Sequence, residues 1–255
     1  MILVQPAAEN MEDYIAIIKR ENLWIEILDL SFPEVMDNRE LYTYSKKYPP
    51  HRCRTLYGTF MDINIASRDQ EIRRISQERC RQSCEIAKIF GIRQVIFSTG
   101  LYTDRNIYDW IVLNAAFFRG LAIEFDLQIY LKNFMDRSPE PLYRLLETAG
   151  EPRLKACLDF GRITHTQFPA EAWVKLLRKH IGYIHLSERN HLFGSRLAFG
   201  DGRNDWERIS KLCKLLACEV KDLPVTILAG SPHQLERSLR FLKDHLYFPC
   251  ASFSR

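Results

Sequence analysis

The chain of 255 residues contains no Cys-x-x-Cys, no Gly-x-Gly-x-x-Gly and no Gly-x4-Gly-Lys-Ser/Thr. The first absence argues against a zinc ribbon or a dithiol redox motif. The other two remove the usual fingerprints of dinucleotide and nucleoside triphosphate binding. No run of 18 uninterrupted apolar residues occurs, so no membrane span is expected. The start, MILVQPAAEN, has no basic n-region and does not read as a signal peptide. Neither sign of charge dominates: 36 Lys and Arg stand against 32 Asp and Glu, a formal +4. So mild and scattered an excess predicts no nucleic-acid partner but is compatible with a small anion. The Lys46-Lys47 and Arg73-Arg74 pairs read as solvated faces.

Cysteine is present without forming a framework. Cys53, Cys80, Cys84, Cys157, Cys213, Cys218 and Cys250 make an odd number at irregular spacing. They read as buried thiols of a cytoplasmic protein in a reducing compartment.

What the chain does have is alternation. Eight short apolar runs fall at 2–5, 23–30, 55–60, 94–99, 127–131, 154–160, 182–186 and 224–228. Several are near-continuous, such as QVIFST and VTILA, as parallel strands covered on their outer face require. Helical periodicity fills the gaps. MEDYIAIIKREN supplies the first helix, and 69–90 the clearest one, with Ile72, Ile75, Cys80, Cys84, Ile86 and Ile89 on one face before Gly91. Further helices span 106–124, 139–150, 169–179, 205–220 and 232–244. The segment 35–54, broken by Pro49-Pro50, reads either as a loop over a pocket or as an irregular helix. The pattern predicts a single domain over 1–255, a closed (β/α)8 barrel. Ligands of such barrels bind at the strand ends. Lys132 and Arg162 lie at or just beyond the ends of the fifth and sixth runs.

Six segments carry a family resemblance: LWIEILDLS at 23–31, YGTFMDINIAS at 57–67, AKIFGIRQVIFSTG at 87–100, LDFGR at 158–162, GYIHLSERN at 182–190 and FGDGRNDW at 199–206. In order and spacing they resemble the xylose isomerase-like TIM barrel superfamily. That group includes sugar isomerases and epimerases, inosose dehydratase-like proteins and endonuclease IV-like enzymes. The resemblance implies one to three divalent metals held by carboxylates and imidazoles at the strand ends. This sequence departs from that pattern position by position. A histidine frequent after strand three falls on Tyr57, and one ending strand four falls on Ser98. The metal-binding glutamate of strand five falls on Lys132. Asp159 keeps the strand-six aspartate, but the histidine three residues on is Arg162. His185 keeps the strand-seven histidine, and Glu188 stands where an aspartate often follows. A loop histidine before the GDG turn is absent, with Arg196 nearby. The last glutamate falls on Ala229, while Glu26 keeps an acid common on strand two.

A catalytic metal needs about three protein ligands and an open position. Asp159 and His185 supply two, and Glu26 or Glu188 would be a third. Two fixed cations beside them would repel a dication, so neither a metal nor another cofactor is expected. Lys132 and Asp159 read either as a structural salt bridge or as part of a working site. In the working site, Lys132 and Arg162 hold a carboxylate, phosphate or enediolate oxygen. Glu26, Asp159 or Glu188 takes a proton and His185 shuttles it. A lysine of depressed pKa would instead allow a Schiff base. Tyr57 and Ser98 orient hydroxyl groups, Arg196 lines the mouth, and His233 in the run SPH meets a phosphate at a helix start. Asp201 and Asp205 shape a turn and cap a helix. His165, His191 and the four tryptophans read as surface or packing residues.

These residues predict a metal-independent isomerase, epimerase or related lyase acting on a small polyhydroxylated, anionic or neutral, sugar-like molecule. The competing reading is a non-catalytic ligand-binding or regulatory protein on a degenerate isomerase scaffold. An endonuclease IV-like activity lacks most of its ligands. Self-association through the outer helices stays open.

Overall fold

Eight parallel strands close on themselves in chain order. They are β1 (Ile2–Val4), β2 (Trp24–Ile27), β3 (Cys53–Tyr57), β4 (Gln94–Ser98), β5 (Gln128–Lys132), β6 (Leu154–Asp159), β7 (Ile181–Ser187) and β8 (Val225–Leu228). This computed structural model describes residues 1–37, 46–191 and 194–245. The seam is a full ladder: Ile2, Leu3 and Val4 pair with Val225, Thr226 and Ile227. The helices are α1 (Met11–Arg20), α2 (Pro33–Met36), α3 (Gln70–Ile89), α4 (Ile107–Phe125), α5 (Glu140–Ala149), α6 (Phe160–Ile163), α7 (Ala170–Leu177), α8 (Trp206–Glu219) and α9 (Pro232–His245). Among the described residues no helix is long and apolar enough to cross a membrane.

Strand alternation builds two cores. Outward-facing residues such as Ile25, Ile27, Val95, Phe97, Ile129 and Leu131 pack under the helices. Inward-facing Leu3, Tyr57, Ile96, Tyr130, Cys157 and Tyr183 fill the barrel, with Met1 and Trp24 against them. Two residues farther along the same strands, the inward positions turn polar: Gln5, Glu26, Ser98, Lys132, Asp159 and His185 are all buried. The apolar layer is thus a floor on which a polar layer stands at the strand ends.

The eight expected runs are the eight strands, with shifted ends. The second run stops at Ile27 because Asp29 begins a turn, its Oδ2 accepting from the Ala8 N–H at 2.7 Å and the Tyr48 hydroxyl at 2.8 Å. The fifth run extends to Lys132, which pairs in the ladder with Cys157. The sixth ends at Asp159, and Phe160 opens α6.

The buried face expected for α3 is wrong in part. Ile72 and Ile75 are each 48% exposed and Ile89 is 73% exposed. Ser76, Cys80, Ser83, Cys84, Ile86 and Ala87 face inward instead. The serines can do so because Ser76 Oγ accepts from the Asn64 N–H at 2.9 Å and Ser83 Oγ from the Thr59 N–H at 3.1 Å. Each also returns its own proton to a carbonyl one turn back. Cys53, Cys80, Cys84 and Cys157 are buried thiols, whereas Cys218 is exposed. Trp110, Trp173 and Trp206 are buried packing residues, and Trp24 lies under the Arg54 guanidinium at 4.1 Å. Cys250 and positions 38–45 of the segment 35–54 lie outside the described residues.

Gly161 fixes how closely α6 approaches β7. A methyl group there would overlap the Ser187 hydroxyl and carbonyl oxygen. The carbonyl belongs to the ladder and cannot swing away. Gly161→Ala is therefore expected to destabilise the protein by about 1–3 kcal/mol. Thermal unfolding should show a Tm lowered by roughly 2–10 °C, and an unchanged Tm would contradict this close approach.

Candidate functional site

The polar layer is organised around two buried carboxylates on opposite sides of the barrel. Glu26 stands on β2. Its Oε1 accepts from Gln5 Nε2 at 2.7 Å. Its Oε2 accepts from Tyr183 OH at 2.8 Å and Thr226 Oγ1 at 2.7 Å, and lies 2.9 Å from His185 Nε2. These donors come from β7, β8 and the residue just past β1, so one carboxylate ties four strands together. Burial alone would raise the Glu26 carboxyl, but His185 and the hydroxyl donors hold it down to about 2. Burial lowers the His185 pKa against the upward pull of Glu26. The imidazole is therefore neutral near pH 7, donating Nε2–H to the carboxylate. Its Nδ1 is buried without a hydrogen-bond partner. In this tautomer Nδ1 carries a lone pair.

Asp159 ends β6, two residues beyond the apolar floor. Lys132 Nζ lies 2.9 Å from its Oδ2, with both side chains buried. Its Oδ1 accepts from Ser187 Oγ at 2.8 Å and the Arg162 N–H at 3.3 Å. Asn133 grips the same residue's backbone, accepting from its N–H at 2.7 Å and donating to its carbonyl at 3.3 Å. Burial would raise the Asp159 carboxyl, but Lys132, His185 and Arg162 hold it well below the usual range. Burial likewise works against the Lys132 ammonium, yet Asp159 outweighs it and the lysine pKa is raised. The pair is ionised on both sides, which leaves no depressed lysine for Schiff-base chemistry.

Tyr57 joins the two centres. Its ring stacks on His185 with centroids 6.1 Å apart, and Lys132 Nζ lies 5.4 Å from the same ring centroid. Its hydroxyl sits 3.5 Å from Ser98 Oγ. Farther out, Phe60 packs edge-on against Tyr57, Phe32 and Phe134, and the Arg162 guanidinium lies 4.4 Å from the Phe134 centroid. Arg196 enters from the loop after β7, its Nη2 donating to Gln5 Oε1 at 2.6 Å. The chain Arg196–Gln5–Glu26–His185 is continuous. Glu26, Tyr57, Ser98, Lys132, Asp159, Arg162, His185 and Arg196 thus occupy one end of the barrel.

Two expected site residues stand elsewhere. Glu188 follows β7 but turns away from the barrel axis. Its carboxylate accepts from the N–H groups of Gly200 and Asn204 and from Trp206 Nε1. A Cβ on Gly202 would strike it. The geometry makes Glu188 the pin of the FGDGRNDW loop, with all its close donors in that loop. Asp205 caps α8 through the Arg208 N–H at 3.0 Å, and Asp201 pairs with Arg237 at 2.7 Å. His233 is exposed in the first turn of α9. Gln5, Asn133, Tyr183, Ser187, Arg189 and Thr226 were not expected at the site. A signal for most of them exists in the sequence: a polar residue at an inward parity within an apolar run.

The donors do not fit a divalent ion. Both Glu26 oxygens already face strong donors, and the Lys132 ammonium rests on Asp159 where the family resemblance implies a metal-binding acid. Among the described residues no group of three or more His, Cys, Asp or Glu side chains could hold a metal.

A sequence profile described as xylose isomerase-like TIM barrel matches residues 38–245. An uncharacterized protein of Methanocaldococcus jannaschii is 25% identical over 229 residues, covering 84% of this chain and 86% of that protein. Two solved structures share the fold. A D-tagatose 3-epimerase-like protein superposes with a TM-score of 0.78 at 18% identity, over 95% of this chain and 96% of the other. The TTHB071 protein of Thermus thermophilus, soaked with zinc chloride, gives a TM-score of 0.77 at 17% identity, over 95% and 96%.

Two outcomes test the electrostatics. Lys132→Met strands a buried carboxylate and should cost about 3–5 kcal/mol, most of it recovered in Lys132→Met/Asp159→Asn. Urea unfolding of the single and double variants measures this, and a single variant as stable as the parent would refute it. Asp136, just beyond Phe134, behaves oppositely. Burial pushes its carboxyl up to about 7 against a Tyr102 hydrogen bond, and its Oδ1 has no partner. A raised carboxyl binds its proton more tightly in the folded state. Stability is therefore lost as pH rises from the unfolded value near 4 through about 7. Asp136→Asn should stabilise the protein more at pH 8 than at pH 4, and an equal effect at both would argue against the buried acid.

Proposed function

We propose that this chain, which belongs to the xylose isomerase-like TIM barrel family, is a metal-independent isomerase, epimerase or related lyase acting on a small polyhydroxylated, anionic sugar-like substrate. The observation that carries the proposal is the pairing of a neutral imidazole on a carboxylate with a separate buried ammonium across the Tyr57 ring. Moving a hydrogen on a carbon next to a carbonyl needs a base for the proton and a positive group for the oxygen that becomes negative. His185 Nδ1 takes the proton from carbon. The imidazolium so formed is stabilised by Glu26, which already receives its Nε2–H. The Lys132 ammonium faces the developing enediolate oxygen. Return of the proton by the same imidazole to the neighbouring carbon completes an isomerisation with no net change in protons, whereas epimerisation needs a second proton donor on the opposite face of the enediolate. Tyr57 and Ser98 donate to substrate hydroxyl groups. The fold shared with a D-tagatose 3-epimerase-like protein supports a ketose-like substrate.

A specific observation favours a second reading, a non-catalytic ligand-binding or regulatory protein. Every oxygen of Glu26 and Asp159 already has a close partner within the protein. The two readings part in heavy water. Incubation with ketoses, aldoses and sugar acids should exchange a carbon-bound proton for deuterium, followed by NMR. His185→Gln should slow this exchange by about 100-fold or more while ligand affinity changes little. Binding without exchange across the panel would favour the non-catalytic reading.

A further inference from the structure

The inward positions turn polar a second time, at the opposite end of the barrel. Two residues before Ile96, Tyr130 and Cys157 on the same strands stand Gln94, Gln128 and Lys155. Alternation gives all three the inward parity. They lie on the adjacent strands β4, β5 and β6, with Gln94 paired to Gln128 and Tyr130 to Lys155. Each is half-buried, and together they border a cavity of about 560 Å³ under the apolar floor. Bulky apolar side chains are the ordinary filling of a closed barrel.

Local geometry keeps this space open. The ladder between β6 and β7 shifts by one residue after Ala156. Gly182 stands at that shift, and a Cβ there would lie 2.9 Å from Tyr130 Cε1 and 3.0 Å from Lys155 Cβ. Tyr130 is 5% exposed, and it lines the cavity. Its hydroxyl has no hydrogen-bond partner among the described residues. Burial raises its pKa, so it remains a neutral donor.

The free polar ends form a defined set. Gln94 Oε1 accepts from Thr55 Oγ1 at 3.1 Å, which leaves its amide N–H groups to donate. Gln128 Nε2 donates to the Arg153 carbonyl at 2.8 Å, which leaves Oε1 to accept. Lys155 Nζ reaches the Lys179 carbonyl at 3.4 Å and pairs with no carboxylate among the described residues. Of the acids that border the cavity, Glu219 is held by Arg178 and Asp222 is exposed.

We infer that this basal cavity binds a small α-hydroxy carboxylate, at a site separate from the one at the strand ends. The carboxylate accepts from the Lys155 ammonium, the Gln94 amide and the Tyr130 hydroxyl. The hydroxyl on the next carbon donates to Gln128 Oε1. Both groups of such a ligand fit within the spacing of adjacent strands, about 4.7–4.9 Å. A neutral ligand would leave the ammonium without a counter-charge, and a bare carboxylate would leave Gln128 unanswered. The floor built from Leu3, Tyr57, Ile96, Tyr130, Cys157 and Tyr183 stands between this cavity and His185. The inference therefore does not rest on the isomerase reading.

The test uses the full chain and three probes: lactate, acetate and lactamide. Nitrogen–proton correlation NMR follows the backbone amides of Gln128, Lys155 and Gly182. Lactate should shift them saturably, with acetate about threefold weaker and lactamide about tenfold weaker or more. Lys155→Met, which keeps the length of the side chain, should weaken lactate by about tenfold or more. Gln128→Leu should bring lactate down to the affinity of acetate. Tyr130→Phe removes one oxygen and keeps the packing, so it stays informative where a larger change unfolds the chain. It should weaken lactate by about threefold to tenfold. No saturable shift at Gly182 would overturn the inference. So would lactamide binding as tightly as lactate, or lactate affinity unchanged in both Lys155→Met and Tyr130→Phe. Shifts confined to Asn133 and Arg162 would place the anion at the other end of the barrel and sink it as well.

Discussion

The Lys132–Asp159 ion pair sets the terms for the rest of the site. An isolated carboxylate at the end of β6 would have to pick up a proton or an external cation. The lysine two residues past Tyr130 on the neighbouring strand supplies that cation covalently, 2.9 Å away. Taking both charges out of water is expensive, and apolar residues of similar volume often replace such pairs without loss of stability. The fold alone therefore gives no reason for the pair. Its neighbours show what it organises instead. Asn133, Ser187 and the Arg162 N–H all close on Asp159, so the ends of β5, β6 and β7 are held in one arrangement. A charge that can be neither lost nor exchanged is a fixed reference around which a substrate oxygen can be placed.

Glu26 is the counterpart on the other side. Its donors belong to β7, β8 and the chain just after β1, which makes it the polar clasp of the barrel seam. Because four donors already meet it, Glu26 is poorly suited to accept a substrate proton itself. It is well suited to hold an imidazole in one tautomer. The same connections carry the rim inward, since Arg196 touches Gln5 and Gln5 touches Glu26. A ligand that moved Arg196 would therefore be felt at His185 through two intervening side chains.

Much of the fold is legible in the sequence. Hydrophobic runs of strand length separated by helix-length periodic segments identify the barrel, because a strand covered by helices must be apolar on its outer face. Lys132, Asp159 and His185 are legible as inward strand-end residues from their place at run ends. The partners that give them their chemical state were harder to see. Gln5, Tyr183 and Thr226 sit in or beside short runs where one polar residue looks like noise. Only the closure of β1 onto β8 brings them to Glu26. Glu188 misled for a related reason. It is one residue past the last inward position of β7, and a single step reverses the side of the strand. The face of α3 misled because serine hydroxyls bonded to a loop are cheap to bury, whereas periodicity scores isoleucine as inward.

The arrangement separates two electrostatic tasks by depth. In the lower part of the polar layer each carboxylate is held by close donors: Asp159 by the Lys132 ammonium, and Glu26 by hydroxyl, amide and neutral imidazole groups. Buried carboxylates held in this way keep geometry and stay ionised over a wide pH range, as the low Glu26 pKa of about 2 illustrates. At the rim, Arg196 donates to Gln5 Oε1 and Arg189 to the Gly194 carbonyl. In the proposed reading, the energy of binding a charged handle at the rim is available to position the uncharged end of the same molecule over His185. A substrate lacking that handle would reach the same base with less of its approach prepaid, so the rim affects the rate of reaction as well as the affinity.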